Sequence, residues 1–239
     1  MLEWQSGTVT RIEQATHNTR RYWIELSGTE VFRFQPGQFV TLDLPVHEQR
    51  NKRWRSYSIA SAPDDSNVIE LVISHVAEGL GTNYLFNQVR IGSILSLRGP
   101  QGVFTLPAAA LAEKDLYLVC TGTGIAPFRS MLHYMERHQL PHREVHLIFG
   151  CRTRGDLLYA DEMDALAQRL EHFHYHPTLS REQWSGHTGY VHAIYEDLCR
   201  ERKPAIFMLC GWREMISEAR KRLADMGYEK KDILLELYG

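Results

Sequence analysis

Two short runs in this chain carry residue types with chemical reach. Arg55-Ser56-Tyr57-Ser58 sets a guanidinium, a flat aromatic face and a hydroxyl within four residues. Such a set can pair with a phosphate, stack on a planar ring and hydrogen-bond a ring nitrogen. Gly122-Thr123-Gly124-Ile125-Ala126-Pro127 removes side chains at two positions just ahead of an apolar helical pattern. Glycines there let backbone N–H groups approach a pyrophosphate, and the partial positive charge of a helix N-terminus favours it. Pro127 suits a first helical turn, where its missing N–H costs nothing. Together the runs read as holders for two nucleotides placed face to face, the arrangement that hydride transfer needs. Each also has a plainer reading, an alternating strand for the first and a structural turn for the second.

The elements that would position them differ in period. Up to residue 106 the pattern is strand-like: Tyr22, Ile24 and Leu26 alternate with Trp23 and Glu25, and residues 39–44 and 68–76 behave similarly. Pro36-Gly37 marks a tight turn. Short strands in this number predict a small antiparallel barrel. From Lys114 onward strands at 116–120, 144–150, 173–178 and 205–210 alternate with helices. One helix carries Ile125, Phe128, Met131, Leu132 and Met135 on one face, and two more span 161–170 and 213–226. That alternation predicts a doubly wound α/β parallel sheet. The period breaks over 106–113, which sets the expected domains at residues 1–110 and 111–239.

Three further spots suit nucleotides. In an NAD-binding turn an acidic residue follows the second strand and holds the ribose hydroxyls. Here that strand is followed by Cys151-Arg152-Thr153, and Ser180-Arg181 lies past the third. A guanidinium beside a hydroxyl suits the 2′-phosphate of NADP, although solvated loop arginines are the plainer alternative. Gly79-Leu80-Gly81-Thr82-Asn83-Tyr84-Leu85 reads as a glycine turn, a Thr82 N-cap and a short helix, another anion-binding start.

Bulk properties narrow the field. A length of 239 residues with 44% hydrophobic content can bury two ordinary cores. The net charge of −2, spread along the chain, points away from nucleic acid and from a membrane surface. Cys120, Cys151, Cys199 and Cys210 lack metal-ligand or disulfide-framework spacing, which predicts a reducing compartment. The start of the chain lacks a signal-peptide pattern and no apolar run reaches spanning length, so a cytoplasmic protein is expected. His172, His174 and His176 alternate on one strand face, but no carboxylate or cysteine is evident to complete a metal site, and none is expected.

The order of motifs carries more than any one of them. Phe34-Gln35-Pro36-Gly37-Gln38-Phe39, Arg55 to Ser58, Gly79 to Leu85, Arg98-Gly99-Pro100-Gln101-Gly102-Val103-Phe104, Gly122 to Pro127, Cys210-Gly211 and Glu236-Leu237-Tyr238-Gly239 resemble, in sequence order, the ferredoxin-NADP reductase family. The resemblance spans nearly the whole chain and implies an FAD-binding β-barrel followed by a pyridine-nucleotide domain. It implies that Arg55, Ser56, Tyr57 and Ser58 hold the flavin, with Ser58 near its reactive nitrogen. Ile73-Ser74-His75-Val76 would run along the ribityl and phosphate side, and Gly81-Thr82 would cap the pyrophosphate. Cys210 and Gly211 would meet the nicotinamide, Glu236 would be the carboxylate near the flavin, and Tyr238 the aromatic that covers its ring. The chain departs from the family at Trp212, where Pro is common, and at Gly239, which extends past Tyr238.

The implied activity is transfer of hydride between NADP(H) and FAD, then of single electrons to or from ferredoxin or flavodoxin. Ser58, Cys210 and Glu236 are the candidate catalytic residues. Three alternatives stay open: a free-flavin reductase, a non-catalytic redox-sensing module, and an NADH-dependent reductase component of an oxygenase system, which the segment 179–191 with Trp184 and Gly189-Tyr190-Val191 also resembles.

Overall fold

Alternating apolar residues in the first part of the chain build antiparallel strands. The computed structural model describes residues 3–238. It contains β1 (Gln5–Thr16), β2 (Thr19–Leu26), β3 (Phe39–Asp43), β4 (Trp54–Ser58), β5 (Val68–Ser74), the helix α1 (Leu80–Asn87) and β6 (Ile94–Gln101). The strands pair in the order β4-β3-β6-β1-β2-β5. An antiparallel bridge between Ile59 and Leu71 joins the two ends of that order, so the sheet closes into the expected barrel. Tyr22, Ile24, Val40, Leu42, Ile69 and Leu71 point inward and are fully buried. The Tyr22 hydroxyl donates to Leu85 O at 3.2 Å and ties α1 to this barrel.

The second part changes to the helical period and to parallel pairing. It runs β7 (Asp115–Thr121), α2 (Ile125–His138), β8 (Val145–Cys151), α3 (Ala160–Ala167), β9 (Phe173–Leu179), β10 (His187–Thr188), α4 (Val191–Leu198), β11 (Ala205–Gly211), α5 (Arg213–Asp225) and β12 (Ile233–Leu237). Its sheet order is β10-β9-β8-β7-β11-β12, with every pair parallel. Ile194 and Tyr195 of α4 and Ile216 and Leu223 of α5 cluster with Val119, Ile148, Phe207 and Leu209 of the strands. The apolar face read for α2 is buried throughout. The chain divides into two compact units: residues 1–106 with Arg129–Tyr134, and Pro107–Phe128 with residues 135–239.

One row of side chains crosses four strands of the parallel sheet. Phe207, Tyr117, His146 and His174 are register partners on β11, β7, β8 and β9. Their ring centroids are 4.9, 4.7 and 4.9 Å apart, with planes within 17–22°. The spacing is that of the strands themselves, so the rings stack like the rungs beneath them.

Several expectations need correction. Thr82 is not the N-cap of α1: Gly79 caps it, and Thr82 sits at the third helical position. Its Oγ1 accepts from Val76 N–H at 3.1 Å, which closes the loop ahead of the helix instead. The helix expected over 161–170 ends at Ala167, and α4, β10 and β12 have no counterpart in the sequence pattern. A carboxylate does reach the histidines, since Glu144 lies 3.2 Å from His172 Nδ1 and 2.7 Å from His174 Nε2. Among the described residues no group of three or more His, Cys, Asp or Glu is gathered so as to hold a metal ion. Among them, too, no helix is long and apolar enough to cross a membrane.

Candidate functional site

In the barrel unit, strand alternation splits the first motif. Arg55 and Tyr57 share one face of β4, while Ser56 lies on the other, where its Oγ is 3.0 Å from Thr41 Oγ1. Tyr57 is half-buried against the barrel core, and burial raises its phenol above the usual range. Ser58 is 5% exposed and pairs in register with Phe39. Arg55 donates only to main-chain carbonyls, Lys52 O at 2.9 Å and Trp54 O at 2.8 Å, and has no carboxylate partner among the described residues.

Gly81 is what lets this cation sit where it does. A Cβ there would meet Arg55 Cγ at 2.9 Å and Nε at 3.1 Å, so the guanidinium stem lies on the first turn of α1. A charge without a counter-ion beside the amide-rich start of a helix is a place for phosphate. The neighbouring segment contributes unevenly. Ile73 points into the barrel core, and Ser74 Oγ is 2.7 Å from Thr19 Oγ1. His75 Nε2 is 2.7 Å from Asn83 Oδ1, while Val76 is 56% exposed.

In the parallel-sheet unit the turn after β7 is a single 3-10 turn, Gly122–Gly124, leading directly into α2. Its two glycines answer different needs. Gly122 has φ +53°, and a methyl group placed on it would meet nothing within 4 Å, so the left-handed backbone faces open space. Gly124 lies against β11, where a Cβ would be 2.5 Å from Cys210 O. Thr123 stands between them, and Pro127 occupies the first turn of α2. This is a cradle that side chains would fill, and it fits a pyrophosphate.

Arg152 and Arg181 follow adjacent strands β8 and β9, and Arg181 N–H donates to Arg152 O at 2.9 Å. Both side chains are exposed and without a hydrogen-bond or ion-pair partner among the described residues. Ser180 Oγ donates to Cys151 O at 3.2 Å. Leu179, Ser180, Arg181, Glu182, Thr188 and Gly189 line a groove of about 460 Å³. Two acidic residues could serve ribose hydroxyls here, and both are turned onto loop backbone: Glu182 accepts from Arg154 N–H at 2.8 Å, and Asp156 accepts from Thr153 N–H at 3.0 Å and Thr153 Oγ1 at 2.8 Å.

On the other side of the turn, Cys210 is the register partner of Glu236 on β12. Burial, then the Glu236 charge, push its thiol well above the usual range, while the Tyr238 hydroxyl bond opposes them. Cys210 is therefore a neutral thiol at physiological pH. Tyr238 N–H reaches Gly211 O at 3.4 Å, and Gly211 has φ +129° with Thr121 atoms crowding its open side. Gly239 lies outside the described residues. Sequence reasoning missed Thr121, whose Oγ1 accepts the Trp212 N–H at 3.2 Å and joins the ends of β7 and β11. A polar residue directly after the apolar run 116–120, one step before Gly122, was the available signal.

Comparison with known proteins places both halves. Residues 6–106 match the oxidoreductase FAD-binding domain family and residues 118–221 the oxidoreductase NAD-binding domain family. Ferredoxin--NADP reductase B of Sorangium cellulosum is 36% identical over 229 residues, 92% of this chain and 91% of that protein. The anthranilate 1,2-dioxygenase electron transfer component of Acinetobacter baylyi is 31% identical over 216 residues, 89% of this chain but only 60% of that longer protein. Among solved structures, a ferredoxin NADP+ reductase from Neisseria gonorrhoeae with bound FAD and NADP superposes with a TM-score of 0.83 at 27% identity, covering 98% of both chains. The chain belongs to the ferredoxin-NADP reductase family, whose members are oxidoreductases that bind FAD and a pyridine dinucleotide.

Proposed function

We propose that this protein exchanges hydride with NADP(H) through FAD and passes single electrons to or from a separate ferredoxin or flavodoxin, in the cytoplasm. FAD, when bound, supplies a centre that takes two electrons together and releases them one at a time. Arg55 and the first turn of α1 would hold its phosphates, and Tyr57 and Ser58 would set the flavin ring. The Gly122–Gly124 turn would take the dinucleotide pyrophosphate on backbone N–H groups. Cys210, a neutral thiol packed beside Glu236, would form an uncharged wall for the nicotinamide, and Glu236 is placed to hold or release a proton there. Tyr238 would cover the flavin ring when no nicotinamide is present.

The observation that carries the choice of NADP over NAD is the pair of guanidiniums, Arg152 and Arg181, unpartnered among the described residues and beside Ser180, with Asp156 and Glu182 both bonded to loop backbone. Dye reduction with NADPH and NADH side by side tests it. Arg181→Ala should raise KM for NADPH by roughly tenfold, the loss of one exposed charge-assisted hydrogen bond, and leave KM for NADH nearly unchanged. Equal losses would remove the NADP assignment. The relative in an anthranilate dioxygenase system favours a second reading, an NADH-dependent reductase component of an oxygenase. A wild-type preference for NADH in the same assay would select it.

A further inference from the structure

Under the proposed reading, the dinucleotide lies across the carboxyl ends of four neighbouring strands. The 2′-phosphate would be at Arg181 after β9, the pyrophosphate at Gly122–Gly124 after β7, and the nicotinamide at Cys210 on β11. That is three strand spacings, about 14 Å. One residue at the nicotinamide end has no task yet. Trp212 follows Cys210-Gly211 and is the N-cap residue of α5. Its backbone is pinned, since its N–H donates to Thr121 Oγ1 at 3.2 Å and Gly211 is wedged against Thr121. The residue is 64% exposed and, among the described residues, its indole makes no ring contact and no side-chain hydrogen bond. A rigidly rooted, uncovered aromatic face thus stands two residues from the Cys210 carbonyl against which the pyrophosphate turn packs.

We propose that Trp212 is a stacking plate for the nicotinamide half of the dinucleotide and that it favours the oxidised form. The reason is electrostatic. An oxidised nicotinamide ring carries a positive charge and the reduced ring none, and an indole face attracts a cation more strongly than any other side-chain ring. The inference rests on the dinucleotide reading above. It adds that a single side chain biases the site toward NADP+, so that product leaves more slowly and the reverse direction, from NADP+ to NADPH, is better served.

Calorimetric titration of the FAD-loaded protein separates the possibilities. Three probes serve: NADP+, a redox-inert analogue with an uncharged tetrahydronicotinamide ring, and 2′,5′-ADP, which lacks the nicotinamide half. In Trp212→Ala the affinity for NADP+ should fall by about five- to thirty-fold. The loss for the uncharged analogue should be smaller, 2′,5′-ADP binding should be unchanged, and Trp212→Phe should retain most of the NADP+ affinity. Unaltered NADP+ affinity in Trp212→Ala, or a parallel loss of 2′,5′-ADP, overturns the role of Trp212 while leaving the dinucleotide reading intact. An equal loss of the charged and uncharged rings overturns the preference for the oxidised form. Wild-type protein that binds none of the three probes overturns the dinucleotide reading, and this inference with it.

Discussion

Replacing Gly122 and Gly124 one at a time by alanine should separate binding from folding within a single turn. At Gly122 the new methyl meets nothing within 4 Å, so the only cost to the fold is holding an alanine at φ +53°. That is about 1 kcal/mol, or a melting point lower by about 2–4 °C in a chain of this size. The same methyl would stand where phosphate oxygens approach the turn. Losing one charge-assisted hydrogen bond costs about 1.5–3 kcal/mol, which weakens NADP+ binding by about 10- to 150-fold. At Gly124 the balance reverses. The methyl would lie 2.5 Å from Cys210 O, 2.7 Å from its carbonyl carbon and 2.9 Å from Gly211 N. These are backbone atoms of a central strand and cannot swing aside, so about 1–3 kcal/mol of overpacking falls on the fold itself. Thermal unfolding and NADP+ titration on the same preparations read both quantities. A Gly122→Ala protein that binds NADP+ as tightly as wild type would refute the cradle, and a Gly124→Ala protein with an unchanged melting point would refute the packing argument.

Charged and titratable groups elsewhere give two more outcomes. Arg55→Ala should lose FAD during gel filtration, read as a falling ratio of flavin to protein absorbance; full retention would show that the guanidinium does not hold the flavin phosphates. The histidine row should make the parallel-sheet unit sensitive to acid. Burial, with a neighbouring imidazole, pushes His146 and His176 down to about 4, and they share a hydrogen bond of 3.1 Å. Unfolded histidines protonate near 6.5, so the unfolded chain binds more protons between those values, and stability present above pH 6.5 is lost as pH falls toward 4. Discounted for partial solvation, the pair contributes about 2–3 kcal/mol. Urea midpoints at pH 7.5 and pH 5 should show the drop, and His176→Asn should shrink it; equal midpoints would contradict the burial argument.

The sequence exposed the parts of this fold that rest on local pattern. The apolar stripe from Ile125 to Met135, the alternation of Tyr22, Ile24 and Leu26, and the glycine pair before α2 all state their geometry within a few residues. What stayed hidden depends on partners distant in the chain. Residues of α4 (Val191–Leu198) make a helix of only eight residues with a β-branched start, and packing against β7 and β8 rather than propensity holds it. Thr82 has the chemistry of an N-cap, but its hydroxyl is drawn back to Val76. Ser56 sits inside the Arg55-Ser56-Tyr57-Ser58 run yet faces Thr41, because alternation along β4 outweighs neighbourhood in sequence. The separation of Glu144 from His172 and His174 likewise conceals a contact made only when β8 and β9 align.

The stacked row of Phe207, Tyr117, His146 and His174 acts as a ruler for the strand ends above it. It crosses β11, β7, β8 and β9, and five to seven residues further along these strands come Trp212, Gly122, Arg152 and Arg181. A strand slipping by one position would turn its ring to the opposite face and break the column, so slippage is penalised far from any ligand. The distances between the anchoring points proposed for a long, floppy cofactor are thereby calibrated lower in the sheet, before anything binds.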